Sequence, residues 1–132
     1  PPNLVLYCVD GESQARLFID WARNIGHPLH ELRLQLDQDD PLLMNWLAGP
    51  DGEKSWIARG RIIAKTICAE EQVGCTPRRV RTSQEDLLEK FGTAESLVIN
   101  TTDQVGVNWP AKFSLRGVKG ATQRLLNRCA GY

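Results

Sequence analysis

The chain has 132 residues, 16 basic and 16 acidic side chains, a net charge of zero and a hydrophobic fraction of 42%. A chain of this length forms one domain, residues 1–132, that can bury a core without metal or disulfide, and its composition excludes a disordered or fibrous polymer. No apolar run approaches the ~18 residues of a spanning helix, so no membrane partner is expected, and Pro1-Pro2 opens no charged and apolar leader pattern.

Leu4-Val5-Leu6-Tyr7-Cys8-Val9 runs apolar without a break and stops at Asp10-Gly11-Glu12-Ser13. Such a run fits a strand covered on both faces in a parallel sheet, whose carboxyl end is where open α/β sheets place ligands. Phe18, Trp21, Ala22 and Ile25 then recur at helical spacing, and Gly26 and Pro28 end the helix. Glu31 to Asp37 alternates strictly, as a strand with one wet face does. Strand, helix and strand in this order predict a right-handed βαβ unit.

Asp40-Pro41 has the grammar of a helix start, with Leu42, Leu43, Trp46 and Leu47 as its buried face and Gly49-Pro50 as its end. A longer helix is expected from Ser55 to Gln72, with Trp56, Gly60, Ile63 and Ile67 on one stripe and Arg59, Arg61 and Lys65 off it. Arg78 to Thr82 reads as a short strand. Ser83 caps a helix with Asp86 three residues on, Leu87, Leu88 and Phe91 face inward, and Gly92 stops it. Ser96 to Asn100 is an apolar strand, and a final helix runs over 119–129 with Ala121, Leu125, Leu126 and Cys129 inward. Alternating strands and helices predict a three-layer α/β fold, a mostly parallel sheet flanked by helices in a Rossmann-like or flavodoxin-like manner. A thioredoxin-like arrangement is the structural alternative.

The four cysteines, at 8, 68, 75 and 129, show no metal or redox spacing and read as small buried apolar residues in the reducing cytoplasm. His27 and His30 read as loop residues rather than ligands.

Charge is distributed unevenly. Residues 1–53 hold nine acids and three bases, a net of −6, whereas residues 54–132 hold seven acids and thirteen bases, a net of +6. The last 23 residues carry five bases and no acid. This asymmetry points to an interaction module without catalytic activity that needs no cofactor. Its basic C-terminal half would bind nucleic acid, as a polyanion, or an acidic protein partner. Arg116, Lys119 and Arg124 are the expected surface, with Arg78, Arg79 and Arg81 as a second patch. Gly117 to Leu126 resembles the hairpin of helix-hairpin-helix DNA-binding motifs, in which a glycine turn offers backbone N–H groups to a phosphate. Trp109 and Phe113 are candidates to stack on bases, or else core.

A rival reading is enzymatic. If the strands ending at Val9 and Asn100 are parallel neighbours, Asp10, Glu12 and Asp103 meet as a hard oxygen site for Mg²⁺, with Thr101 and Thr102 beside them. That arrangement resembles the PIN and NYN nuclease families, whose first strand ends in a metal-binding aspartate; the resemblance implies a Mg²⁺-dependent phosphodiesterase or nuclease. A third reading is a structural subunit of a larger assembly, anchored through exposed aromatic side chains.

Overall fold

The computed structural model describes residues 1–9, 11, 14–58, 60–68, 74 and 76–129. Nine strands and two helices follow one another as β1 (Asn3–Tyr7), β2 (Arg16–Asp20), β3 (Leu29–Leu36), β4 (Leu42–Ala48), β5 (Lys54–Trp56), β6 (Arg61–Thr66), β7 (Arg79–Ser83), α1 (Gln84–Thr93), β8 (Ser96–Thr102), β9 (Asn108–Ser114) and α2 (Val118–Cys129). The strands form a single sheet ordered β1-β2-β5-β4-β3-β8-β9, with β6 paired to β4 and β7 paired to β6. Every pairing among the described residues is antiparallel. The sheet curves until it nearly closes like a barrel.

This corrects the α/β, Rossmann-like expectation: the sheet is antiparallel, and the described residues form no parallel pair and no βαβ unit. The error has one physical source, the choice of period in short apolar runs. In β2 the buried positions continue the two-residue rhythm Ala15, Leu17, Ile19, Trp21, and the helical stripe chosen from Phe18 to Ile25 cuts across it. In β4, Met44 and Trp46 are buried while Asn45 and Leu47 are exposed, again a period of two. Of the long helix expected over 55–72, residues 59 and 69–72 lie outside the described residues, and the described part holds β5 and β6 instead, with Ser55 buried and with Ile62 and Ala64 inward between exposed Arg61, Ile63 and Lys65. Gly60 is not an interior helix residue; its φ of 82° places it just ahead of β6.

Other expectations correspond to real elements. Ser83 caps α1, its Oγ accepting the Asp86 amide at 3.1 Å. Leu87 and Phe91 of that helix are fully buried. β3, β7, β8 and α2 lie close to where alternation and apolar runs place them.

The inward positions of β2, β3, β4, β6, β8 and β9 meet in one core, with Trp21, Trp46, Leu32 and Ile99 at its centre and Leu87 and Phe91 of α1 packed in. β4 divides its pairing. Leu42 and Leu43 pair with β6, and Leu47 and Ala48 pair with β5. The sheet therefore forks along β4, and this fork positions the face described below.

One end of the barrel is closed by the 21–26 segment against the β4–β5 turn. Trp21 and Ile25 amides donate to the Glu53 and Gly52 carbonyls at 2.8 and 2.9 Å. Gly52 has φ 72°, and a Cβ there would fall 2.3 Å from the Asn24 Oδ1, so both backbone and space require glycine. At the other end Cys8 and Cys129 form a disulfide across a sequence separation of 121, Cα atoms 6.0 Å apart, joining the segment after β1 to the last turn of α2. Cys68 is disulfide-bonded as well. These cysteines are therefore not the separate reduced thiols the spacing suggested. Spacing could not reveal the Cys8–Cys129 pair, because its two members meet only once the sheet has curled.

Candidate functional site

The outward face of the sheet gathers five exposed cations. Cross-strand register sets one row in line: Arg79 opposite Lys65, Lys65 opposite Leu43, Leu43 opposite Arg33, and Arg33 opposite Asn100. Two positions along β7, Arg81 faces Ile63, and Arg61 closes the outward side of β6. Arg33, Arg61, Lys65, Arg79 and Arg81 are all exposed. No carboxylate among the described residues lies within ion-pair reach of any of them, whereas Lys54 does pair with Asp51 at 3.7 Å. Glu31, opposite Asn45, is the acid nearest this row in register. A depression of about 220 Å³ opens where β4 leaves β6, lined by Glu31, Leu43, Asn45, Ile63, Lys65 and Arg79 among others.

The second predicted patch thus falls on this face in part. Arg79 and Arg81 belong to it. Arg78 extends the same strand pair, its amide donating to Thr66 Oγ1 at 3.0 Å and its carbonyl accepting the Thr66 amide at 2.9 Å. Arg33, Arg61 and Lys65 were missed because Arg61 and Lys65 were assigned to the polar side of a helix; read as a strand, Arg61-x-Ile63-x-Lys65 puts all three side chains on one face.

The first patch is less coherent. Arg116 lies in the turn before α2. Lys119 packs against α1, where a Cβ on Gly92 would stand 3.3 Å from its own Cβ, and it lines a cleft with Glu85 and Glu89. The Arg124 side chain lies back over Gly120 of the same helix. The helix-hairpin-helix likeness fails on its first member, since α2 is preceded by strand β9 rather than by a helix. Trp109 and Phe113 both pack against the core edge, and Arg23 stacks over the Trp109 ring at 3.6 Å.

The acidic constellation is not assembled as expected. Asp10 and Glu12 lie outside the described residues. The premise of neighbouring β1 and β8 is overturned, because β2, β5, β4 and β3 stand between them along the sheet. Asp103 sits near the other end of the barrel, where the Gln104 amide donates to the Ile25 carbonyl at 3.2 Å; Gly11, beyond the end of β1, bonds the Cys129 carbonyl instead. The Asp103 carboxylate organises its own turn, accepting the Val105 and Val107 amides at 3.0 and 2.9 Å and the Trp109 indole N–H at 2.8 Å. These donors, the Trp109 indole first, hold its pKa below the usual aspartate value. Among the described residues no group of three or more His, Cys, Asp and Glu side chains is placed to hold a metal.

His30 is a correction of another kind. It is a core residue of β3, 1% exposed, in a chain of hydrogen bonds whose side chains are all buried. The Trp21 indole donates to Ser55 Oγ at 2.8 Å, Ser55 Oγ lies 2.6 Å from His30 Nδ1, and His30 Nε2 lies 2.6 Å from the Gly26 carbonyl. Only one arrangement of protons satisfies every atom. Nε2 carries the hydrogen and donates to Gly26, and Nδ1 accepts from the serine hydroxyl. Burial lowers the His30 pKa, so the ring is neutral. With Ser55 at 0% exposure no substrate reaches this pair, and the serine–histidine contact is structural.

No family model and no curated protein matches the sequence, and no solved structure matches the fold.

Proposed function

We propose that the chain is a binding module without catalytic activity that works in an oxidising compartment and holds an anionic partner on the outer face of β3, β4, β6 and β7. One observation carries this reading: the register row Arg79–Lys65–Leu43–Arg33, with Arg61 and Arg81 beside it, has no carboxylate partner among the described residues. Cations on one exposed sheet face repel one another, and a protein that keeps five of them together gains from an external anion. The lopsided charge of the sequence points the same way, although the surface it serves is the sheet and not the C-terminal helix. The Cys8–Cys129 disulfide supports the compartment, because such bonds persist where the surroundings are oxidising.

A single-stranded oligonucleotide serves as a soluble polyanion probe. Four to five phosphate contacts would weaken binding on the order of 100-fold between about 50 and about 200 mM salt. The double charge reversal Lys65→Glu/Arg79→Glu should abolish it, while Arg124→Glu should leave most of it. Absence of binding at low salt would overturn the proposal. Alkylation of the native protein before reduction tests the compartment: Cys8 and Cys129 should resist labelling until reductant is added.

A further inference from the structure

The cationic face also holds aliphatic side chains that a soluble polyanion has no use for. Ile63 is 65% exposed, and it stands in the middle of the charge, between Arg61 and Lys65 on its own strand and opposite Arg81 on the next. Leu47 and Leu29, 48% and 47% exposed, face each other across β4 and β3 on the same side of the sheet. Leu47 is in turn opposite Trp56, which stacks on Phe18 with centroids 4.3 Å apart. An apolar ridge with a half-buried indole thus runs along the face about four residues from the cationic row, roughly 13 Å at strand rise.

We infer that this face docks on an anionic lipid surface: the cations meet headgroup phosphates, and Ile63, Leu47 and Leu29 enter the boundary between headgroups and acyl chains. The inference rests on the anion-binding reading above and names its partner. Two features select a lipid surface over a free polyanion. An exposed isoleucine flanked by cations, with an apolar ridge on the same face, matches a surface whose charge lies directly above hydrocarbon, as in interfacial binding by mixed basic and apolar faces. The half-buried Trp56 belongs to the residue type that settles at that boundary. The convex sheet meets a plane along the fork of β4 and β6, where the 220 Å³ depression beside Lys65 and Arg79 gives room for a headgroup. Each cation held near such a surface strengthens attachment about fivefold. The lack of a long apolar helix among the described residues bears on spanning alone, not on surface attachment.

The test is co-sedimentation with phosphatidylcholine vesicles, with and without phosphatidylglycerol, beside the oligonucleotide assay on the same preparations. The protein should pellet with phosphatidylglycerol vesicles and stay in solution with pure phosphatidylcholine. Ile63→Ser, on an exposed position that leaves the fold intact by circular dichroism, should weaken vesicle binding about tenfold and leave oligonucleotide binding unchanged. Lys65→Glu/Arg79→Glu should abolish both. Oligonucleotide binding without vesicle binding, or an Ile63→Ser variant that pellets like the parent, would overturn the lipid inference and leave the anion-binding reading standing. Failure of both probes would overturn both.

Discussion

The two faces of β3 and β4 treat polar side chains in opposite ways. Inward, buried Trp21, Ser55 and His30 form a chain that ends on the Gly26 carbonyl, with each side-chain donor and acceptor matched. Outward, Arg33, Lys65 and Arg79 lie in one register row with no described carboxylate in reach. The inner group resembles a catalytic pair when only residue types are considered, and it is a structural strut. The outer group resembles ordinary solvated charge, and it is where the proposed anion site lies. Satisfaction, not residue type, separates the two.

The largest expected effect breaks the inner chain. His30→Leu removes the donor to the Gly26 carbonyl and the acceptor of the buried Ser55 hydroxyl, which keeps only the Trp21 indole as partner, and should cost about 3 kcal/mol in denaturant unfolding. A loss below about 1 kcal/mol would mean that the inner group is as dispensable to the fold as the outer one.

The same histidine makes stability depend on pH. Its folded pKa lies below the unfolded value of 6.5, so the unfolded chain takes up the proton first. Its contribution is therefore complete above pH 6.5 and is lost as pH falls from there through the folded pKa. The slope is at most about 1.4 kcal/mol per pH unit for one proton. Thermal unfolding of the parent and of His30→Leu across this window should show the slope in the parent alone.

Thr82 sharpens the contrast from within. Its hydroxyl is buried on the inward side of β7 and has no hydrogen-bond partner among the described residues, as is also true of the Trp46 indole N–H. Thr82→Val keeps the shape and removes an unpaired polar atom, so stability should rise by up to about 1 kcal/mol in chemical denaturation. A clear loss would show that the hydroxyl does have a partner in solution.

Smallest in stability, and largest in binding, is the outer face. Lys65→Glu/Arg79→Glu should shift unfolding free energy by less than about 0.5 kcal/mol, since both side chains are exposed. A larger destabilisation would place these cations in the folding energetics and remove the contrast between the faces.

Much of this arrangement was open to the sequence wherever local chemistry decides. The Ser83 cap and the Leu87 and Phe91 face specify α1 within ten residues, and strict alternation specifies β3. The net +6 of residues 54–132 marks the half of the chain that supplies Arg61, Lys65, Arg79 and Arg81. Where short apolar runs fit both periods, as in Arg16–Asp20 and Leu42–Ala48, only pairing with neighbours distant in sequence selects the strand, because ladder hydrogen bonds and the shared core outweigh local preference. Tertiary structure alone brings Cys8 to Cys129, His30 to Ser55, and Arg33 into line with Lys65 and Arg79. Each of these contacts depends on the order and curvature of the strands. No spacing in the chain encodes that order; it is set by which edges can pair once the sheet wraps its core.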